Sequence, residues 1–218
     1  MRSANAMVVE ATELSTPAAR ATRLAALDAP HMHRLNAYCR GLQNLSRDVP
    51  WFDPLDGGED ASVLILLERP ARRGEHPRFV SRDNPSPTQR NLKRALDRAG
   101  LERSTTLLWN IVPWLAPSSL TRNRRLTASE LADGLDQLPA LFCLLKNLQV
   151  IVLAGRWAGK ANPAIAGLGK EIPVIEIPHP SSFYVNTDPE IQFRIDKGLK
   201  SVAGIIGQSP HGSVAAEV

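Results

Sequence analysis

Four short apolar runs punctuate the chain: SVLILL at 62–67, TTLLWNIVPW at 105–114, VIVLAG at 150–155 and IPVIEI at 172–177. Each is four to eight residues long at its apolar heart and rich in β-branched side chains, the pattern of a strand buried on both faces. The second run turns polar at Asn110, which sets the expected end of its strand. Between the runs the apolar positions space out to a helical period. Ser86, Pro87 and Gln89 read as cap, first position and capping-box partner of a helix whose buried stripe is Leu92, Ala95, Leu96 and Ala99, with Gly100 as its stop. Thr127 and Glu130 form a second capping box, opening a helix expected to break or restart near Pro139 and to run to about Leu148. Asp188 and Pro189 begin a last helix, with Ile191, Ile195, Leu199, Val202 and Ile206 along one face. HRLNAYCRGLQNL at 33–45 predicts a short helix, and the stretch at 68–87, with four prolines, a long polar loop.

Strands separated by helices, each strand apolar throughout, predict an α/β fold: one domain with a central, mainly parallel four-stranded sheet flanked by helices. Residues 31–206 carry the pattern. Residues 1–30 have none that is sustained and are expected to be poorly ordered, and residues 207–218 read as a flexible tail. Ligands of parallel sheets bind outside the carboxyl ends of the strands. The residues that matter are therefore those after each run: Glu68-Arg69-Pro70, Asn110, Gly155-Arg156-Trp157 and His179-Pro180-Ser181. All four sets should meet on one rim.

Composition narrows the chemistry. Among 218 residues, Lys and Arg exceed Asp and Glu by 26 to 22, a formal charge of +4 that permits a nucleic-acid partner without requiring one. Cys39 and Cys143 lack CxxC spacing, which argues against a zinc ribbon or an iron–sulfur cluster and suits a reducing cytoplasm. His31 and His33 are the only close histidine pair, and no metal site is assigned to them. No apolar run has the length of a membrane span, and MVV near the start is too short for a signal peptide. GRWAGKA at 155–161 is one residue short of a phosphate loop and has Ala161 where the metal-binding hydroxyl belongs, so it reads as a glycine turn into a helix packed by Trp157.

An amide (Asn110) and an imidazole (His179) on one rim can read a small heterocycle, since an amide offers a donor and an acceptor side by side. In this setting the chain resembles the uracil-DNA glycosylase superfamily, from about residue 50 to residue 206. VLILLERPA stands for the strand and water-activating motif, LLWNIVP for the strand with the base-reading asparagine, IVLAG for the next strand and HPSSF for the His-Pro-Ser segment. The resemblance implies hydrolysis of the bond between uracil and deoxyribose in single- or double-stranded DNA, by a cytoplasmic monomer needing no metal, cofactor or membrane. The base must be extruded into a pocket, at a cost of a few kcal/mol. By position, Phe79 would stack on it, although a core aromatic is the other reading. Asn110 would bond the uracil edge, with Pro70 and Ala71 beside it. His179 would face uracil O2, where charge grows as the base leaves. Ser181, Ser182 and Arg156 would hold DNA, and Phe183 would fill the vacated space in the duplex.

The chain also departs from the family pattern. Strict uracil enzymes carry Gly-Gln-Asp-Pro-Tyr after the first strand, and here Leu67, Glu68, Arg69, Pro70 and Ala71 align with it. Arginine cannot act as a base. Glu68 is the first candidate to position the attacking water, with Asp83 as its rival. Arg69 either binds a phosphate, stabilises the departing uracil anion or merely pairs with Glu68. Ala71 replaces the tyrosine that excludes thymine, which leaves open a broader specificity toward hypoxanthine or xanthine. The missing aspartate leaves open a non-catalytic relative that senses damage.

Overall fold

The computed structural model describes residues 13–45, 47–71, 77–116, 125–167 and 171–207. Its elements run α1 (Pro17–Ala25), α2 (His33–Gln43), β1 (Trp51–Phe52), β2 (Val63–Leu67), β3 (Phe79–Val80), α3 (Pro87–Arg98) and β4 (Thr106–Asn110). There follow α4 (Ala128–Leu135), α5 (Leu138–Phe142), β5 (Val150–Ala154), α6 (Arg156–Gly159), α7 (Asn162–Ala166), β6 (Val174–Ile177), α8 (Ser182–Thr187) and α9 (Pro189–Gly207).

The four apolar runs become one sheet of order β4-β2-β5-β6, every pairing parallel. All residues of β2, β4 and β5 are buried, as continuous apolar runs require when helices cover both faces. The fourth run differs from its expectation. It forms an edge strand of only four residues, mostly half-buried, with Glu176 facing out to accept a bond from Asn162 Nδ2 at 3.1 Å.

Local signals set the helix ends. Ser86 Oγ accepts from Gln89 N at 3.2 Å, and Thr127 and Glu130 close both halves of their capping box. Pro189 opens α9, which buries Ile195, Leu199 and Val202. The segment after Thr127 breaks as expected before Pro139, but α5 ends at Phe142 and does not continue to Leu148.

Two regions read as irregular carry structure. Residues 79–80 pair in parallel with 51–52, so the Pro-rich stretch holds a short strand that places Phe79 opposite Trp51. The pair is pinned to the sheet where Phe52 stacks on Trp109, centroids 3.6 Å apart. Within residues 1–30, helix α1 forms, capped by Thr16, whose side chain accepts from Ala19 N at 3.1 Å. No apolar stripe announces α1 because its anchor is a charge: Arg23, 1% exposed, bonds Asp83 Oδ2 at 2.5 Å. Residues 1–12 and 208–218, including the proposed tail, lie outside the described residues. No helix among the described residues is long and apolar enough to cross a membrane.

Candidate active site

Strand register brings the site together. Leu67 pairs with Asn110, Leu66 with Leu153 and Ala154 with Ile177, so all four strands end at one level. The segments leaving these ends share a rim. The chain beyond β4 stays against β2: Ile111 N donates to Leu67 O at 2.8 Å and Val112 N to Glu68 O at 3.1 Å.

On this rim Asn110 is 3% exposed and its Oδ1 has no hydrogen-bond partner among the described residues. An amide oxygen without a partner in so dry a position costs stability unless something else supplies the donor. Ser181 Oγ is likewise buried and unpartnered, although Ser181 is the residue capping α8 by position. Arg69 Nε has no acceptor among the described residues either. Arg69 pairs not with Glu68 but with Glu130, Nη2 to Oε2 at 3.2 Å, a charge contact without hydrogen-bond geometry. Glu130 in turn receives Thr127 N at 2.9 Å, so the capping box of α4 holds the arginine in place.

Glu68 is half-buried, and its carboxylate accepts no hydrogen bond among the described residues. Burial pushes its pKa up from the ordinary carboxylate value, and the charge of Arg69 offsets part of that rise. His179 rests on Gly155. That glycine has φ +97° and a Cβ there would lie 2.8 Å from the His179 Cβ, so only a bare α-carbon allows the approach. Burial lowers the His179 pKa below its ordinary value and keeps the ring neutral, a hydrogen-bond donor rather than a cation. Behind it, Asn91 Nδ2 on α3 donates to Pro180 O at 3.1 Å.

Of the other predicted residues, Phe79 is 4% exposed on β3, its carbonyl accepting from Asn84 Nδ2 at 2.9 Å. Pro70 is half-buried, while Ala71 and Arg156 are exposed. Ser182 opens α8, and Phe183 projects 72% exposed with Tyr184 edge-on against it, centroids 5.4 Å apart. Asp83 goes elsewhere. Lys93 bonds its Oδ1 at 2.7 Å, while Arg23 and Arg103 each reach Oδ2 at 2.5 Å, so both oxygens are engaged by cations away from the rim. Although burial pushes its pKa up, those cations prevail and hold it below the ordinary value. The rings of His31 and His33 each bond a backbone carbonyl, of Pro54 at 3.0 Å and Asp28 at 2.9 Å.

A rim that ends in Glu-Arg-Pro, Asn, Gly and His-Pro-Ser, with buried polar atoms unpartnered, is the geometry on which to weigh kinship. The uracil DNA glycosylase superfamily matches the chain over residues 54–197. The chain belongs to that superfamily. A comparison with curated proteins finds none that matches it. Membership gives this uracil DNA glycosylase superfamily protein a glycosylase-type role in DNA repair, with DNA as the substrate. The matched span contains every rim residue named above.

Three supporting residues escaped sequence reasoning. Asn91 left a faint signal, a poor helix former early in α3, on no apolar stripe. Glu130 was read as a cap only, and Gly155 as a turn only. Their second roles depend on partners 61 and 24 residues away, Arg69 and His179, which local pattern does not encode.

Proposed function

We propose that the protein hydrolyses the N-glycosidic bond of uracil in DNA and leaves an abasic site. The observation that carries this reading is the unpartnered, buried Asn110 Oδ1 at the end of β4, level with Glu68-Arg69 and the His179 segment. An amide oxygen there accepts the N3–H of uracil, and its amide nitrogen donates to O4. Phe79 stacks on the extruded base, bordered by Pro70 and Ala71. Phe183 enters the duplex where the base has left, while Ser181, Ser182 and Arg156 hold phosphates.

In the reaction the bond between uracil N1 and C1′ breaks and both its electrons go to the base. Negative charge collects on O2, where the neutral His179 imidazole donates a hydrogen bond. Arg69, held by Glu130, adds its positive charge near the same rim. Glu68 accepts a hydrogen bond from a water that attacks C1′ of the electron-poor sugar, and takes the water's proton as the new C–O bond forms. Two free cysteines suit a reducing cytoplasm, and the monomer is the acting unit.

The test is incubation with a labelled uracil-containing oligonucleotide, single- and double-stranded, followed by alkali. Strand breaks at uracil are expected. Salt-dependent binding with no break on either substrate would replace catalysis by damage sensing. A second reading has its own observation: Ala71 is exposed and small where a tyrosine would crowd thymine. It extends the substrate to hypoxanthine or xanthine, and a panel of deaminated bases measures it.

A further inference from the structure

The last helix has an outward face that the chemistry above leaves unused. On α9, Phe193, Arg194, Lys197, Lys200 and Ser201 are all exposed, spaced by three and four residues along one side. The side chains of Arg194, Lys197 and Lys200 form no ion pair and no hydrogen bond among the described residues. The acid within this stretch, Asp196, lies beside Phe193, Lys197 and Lys200 on that surface, and its charge is met locally: Arg98 holds both its oxygens, at 3.1 and 2.7 Å, and Gln192 adds a third bond. With Asp196 neutralised by Arg98, Glu190 in the first turn is the remaining acid of the outward face, which leaves three cations against one. Phe193 is 59% exposed, an uncommon state for a large aromatic on a helix already well anchored.

The position of this face matters as much as its charge. Gly198 packs against the end of β6, where a Cβ would lie 2.5 Å from Ile177 Cγ2. Ile177 is the last residue before Pro178 and His179. The part of α9 that precedes Gly198 therefore stands beside the rim, and Phe193, Arg194 and Lys197 flank it. From Arg194 to Lys200 the helix rises about 9 Å, which matches the rise of two to three base pairs along one DNA strand.

We propose that this face of α9 is a docking surface for the DNA backbone beyond the flipped nucleotide. Arg194, Lys197 and Lys200 neutralise successive phosphates, and Phe193 lies against the deoxyribose nearest the rim. This rests on DNA being the substrate and extends the footprint from the rim to the side of the molecule. Charge complementarity selects the partner: three cations whose side chains have no partner among the described residues stand on one helix face and meet a polyanion.

The experiment uses the full chain and a triple variant, Arg194→Gln, Lys197→Gln and Lys200→Gln, which keeps good helix formers on an exposed face. Binding to a long duplex is followed as salt is raised. The slope of log K against log salt should fall by about 0.9 for each phosphate no longer neutralised, up to about 2.7 for three. On the shortest oligonucleotide that is still a substrate, which does not reach α9, the variant should match the unaltered protein. An unchanged slope on the long duplex, or an equal loss on the shortest substrate, would overturn the proposal. So would a loss confined to anionic vesicles, since a lipid surface would then be the partner. Failure of the DNA reading itself looks different: the unaltered protein would show no salt-dependent binding to DNA at all.

Discussion

The two ends of β4 hold two kinds of buried polarity, about 13 Å apart along one strand. At its start, Thr106 accepts a bond from Arg82, and around it gather Arg23, Arg103 and Lys93 with Asp53, Asp56 and Asp83. Arg103 alone reaches all three carboxylates, at 2.5 Å to Asp53, 3.0 Å to Asp56 and 2.5 Å to Asp83. At its end, Asn110 Oδ1 and Ser181 Oγ have no partner among the described residues, and Arg69 has the charge of Glu130 but no hydrogen bond from Nε. Where buried polar groups find opposite charges within 4 Å, they fasten the molecule together. Where they do not, as at Asn110 Oδ1 and Ser181 Oγ, a buried acceptor and a buried hydroxyl are left open for a ligand.

That contrast breaks most readily at Arg103. Arg103→Met removes the cation that bridges all three acids, leaves Arg23, Lys93 and Arg82 against them, and is expected to destabilise the protein by about 3–5 kcal/mol, read as a lower urea midpoint. Asp83→Asn should also lower the midpoint. A loss of kcat at an unchanged midpoint would instead return Asp83 to the role of water positioner.

The rim should answer in the opposite way. His179→Ala is expected to lower kcat by about 10²–10³-fold, the effect of one prepositioned donor, and to leave the midpoint in place. Full activity would remove the role assigned to it. Asn91→Ala sharpens the picture, because the Asn91 side chain donates to the Pro180 carbonyl, next to His179. Losing one hydrogen bond there should reduce kcat roughly two- to tenfold with KM held, and Asn91→Ser, which keeps a donor, should recover part of the loss.

The smallest effects lie in pH, and the two ends differ again. Asp56 is pushed up to about 7 from 3.8 by burial and by Asp53, against the opposing pull of Arg103 and Arg82. The native protein thus keeps a proton that the unfolded chain has released. Stability from this group is full below 3.8 and declines as pH rises through about 7, and Asp56→Asn should flatten that decline. At the rim, Glu68 must be ionised to take a proton. Its raised pKa gives activity an acid limb above 4.5, and Glu68→Gln should abolish that limb along with part of the rate. Any limb that survives belongs to His179, whose lowered pKa puts it below 6.5.

Much of this was legible in the chain. The four strands, the Ser86 and Thr127 caps and the start of α9 follow from period, cap and proline, all interactions within a few residues. Asn110 and His179 were legible too, because a polar residue closing an apolar strand is conspicuous. Helix α1 was not, since an arginine reads as solvated until three chain segments close around it. The pairing of Arg69 with Glu130 and the seat of His179 on Gly155 were equally hidden.

The order of residues dictates which segments are strands, which are helices and which polar residues end them, because those preferences arise from sterics and burial along a short stretch. Packing in three dimensions sets the rest: the order β4-β2-β5-β6, the common level of the strand ends and the sorting of buried charges into fastener and site. Partnership is a property of space. A buried carboxylate and a buried amide look alike in sequence, and the groups facing each of them decide whether it holds the fold or receives a ligand.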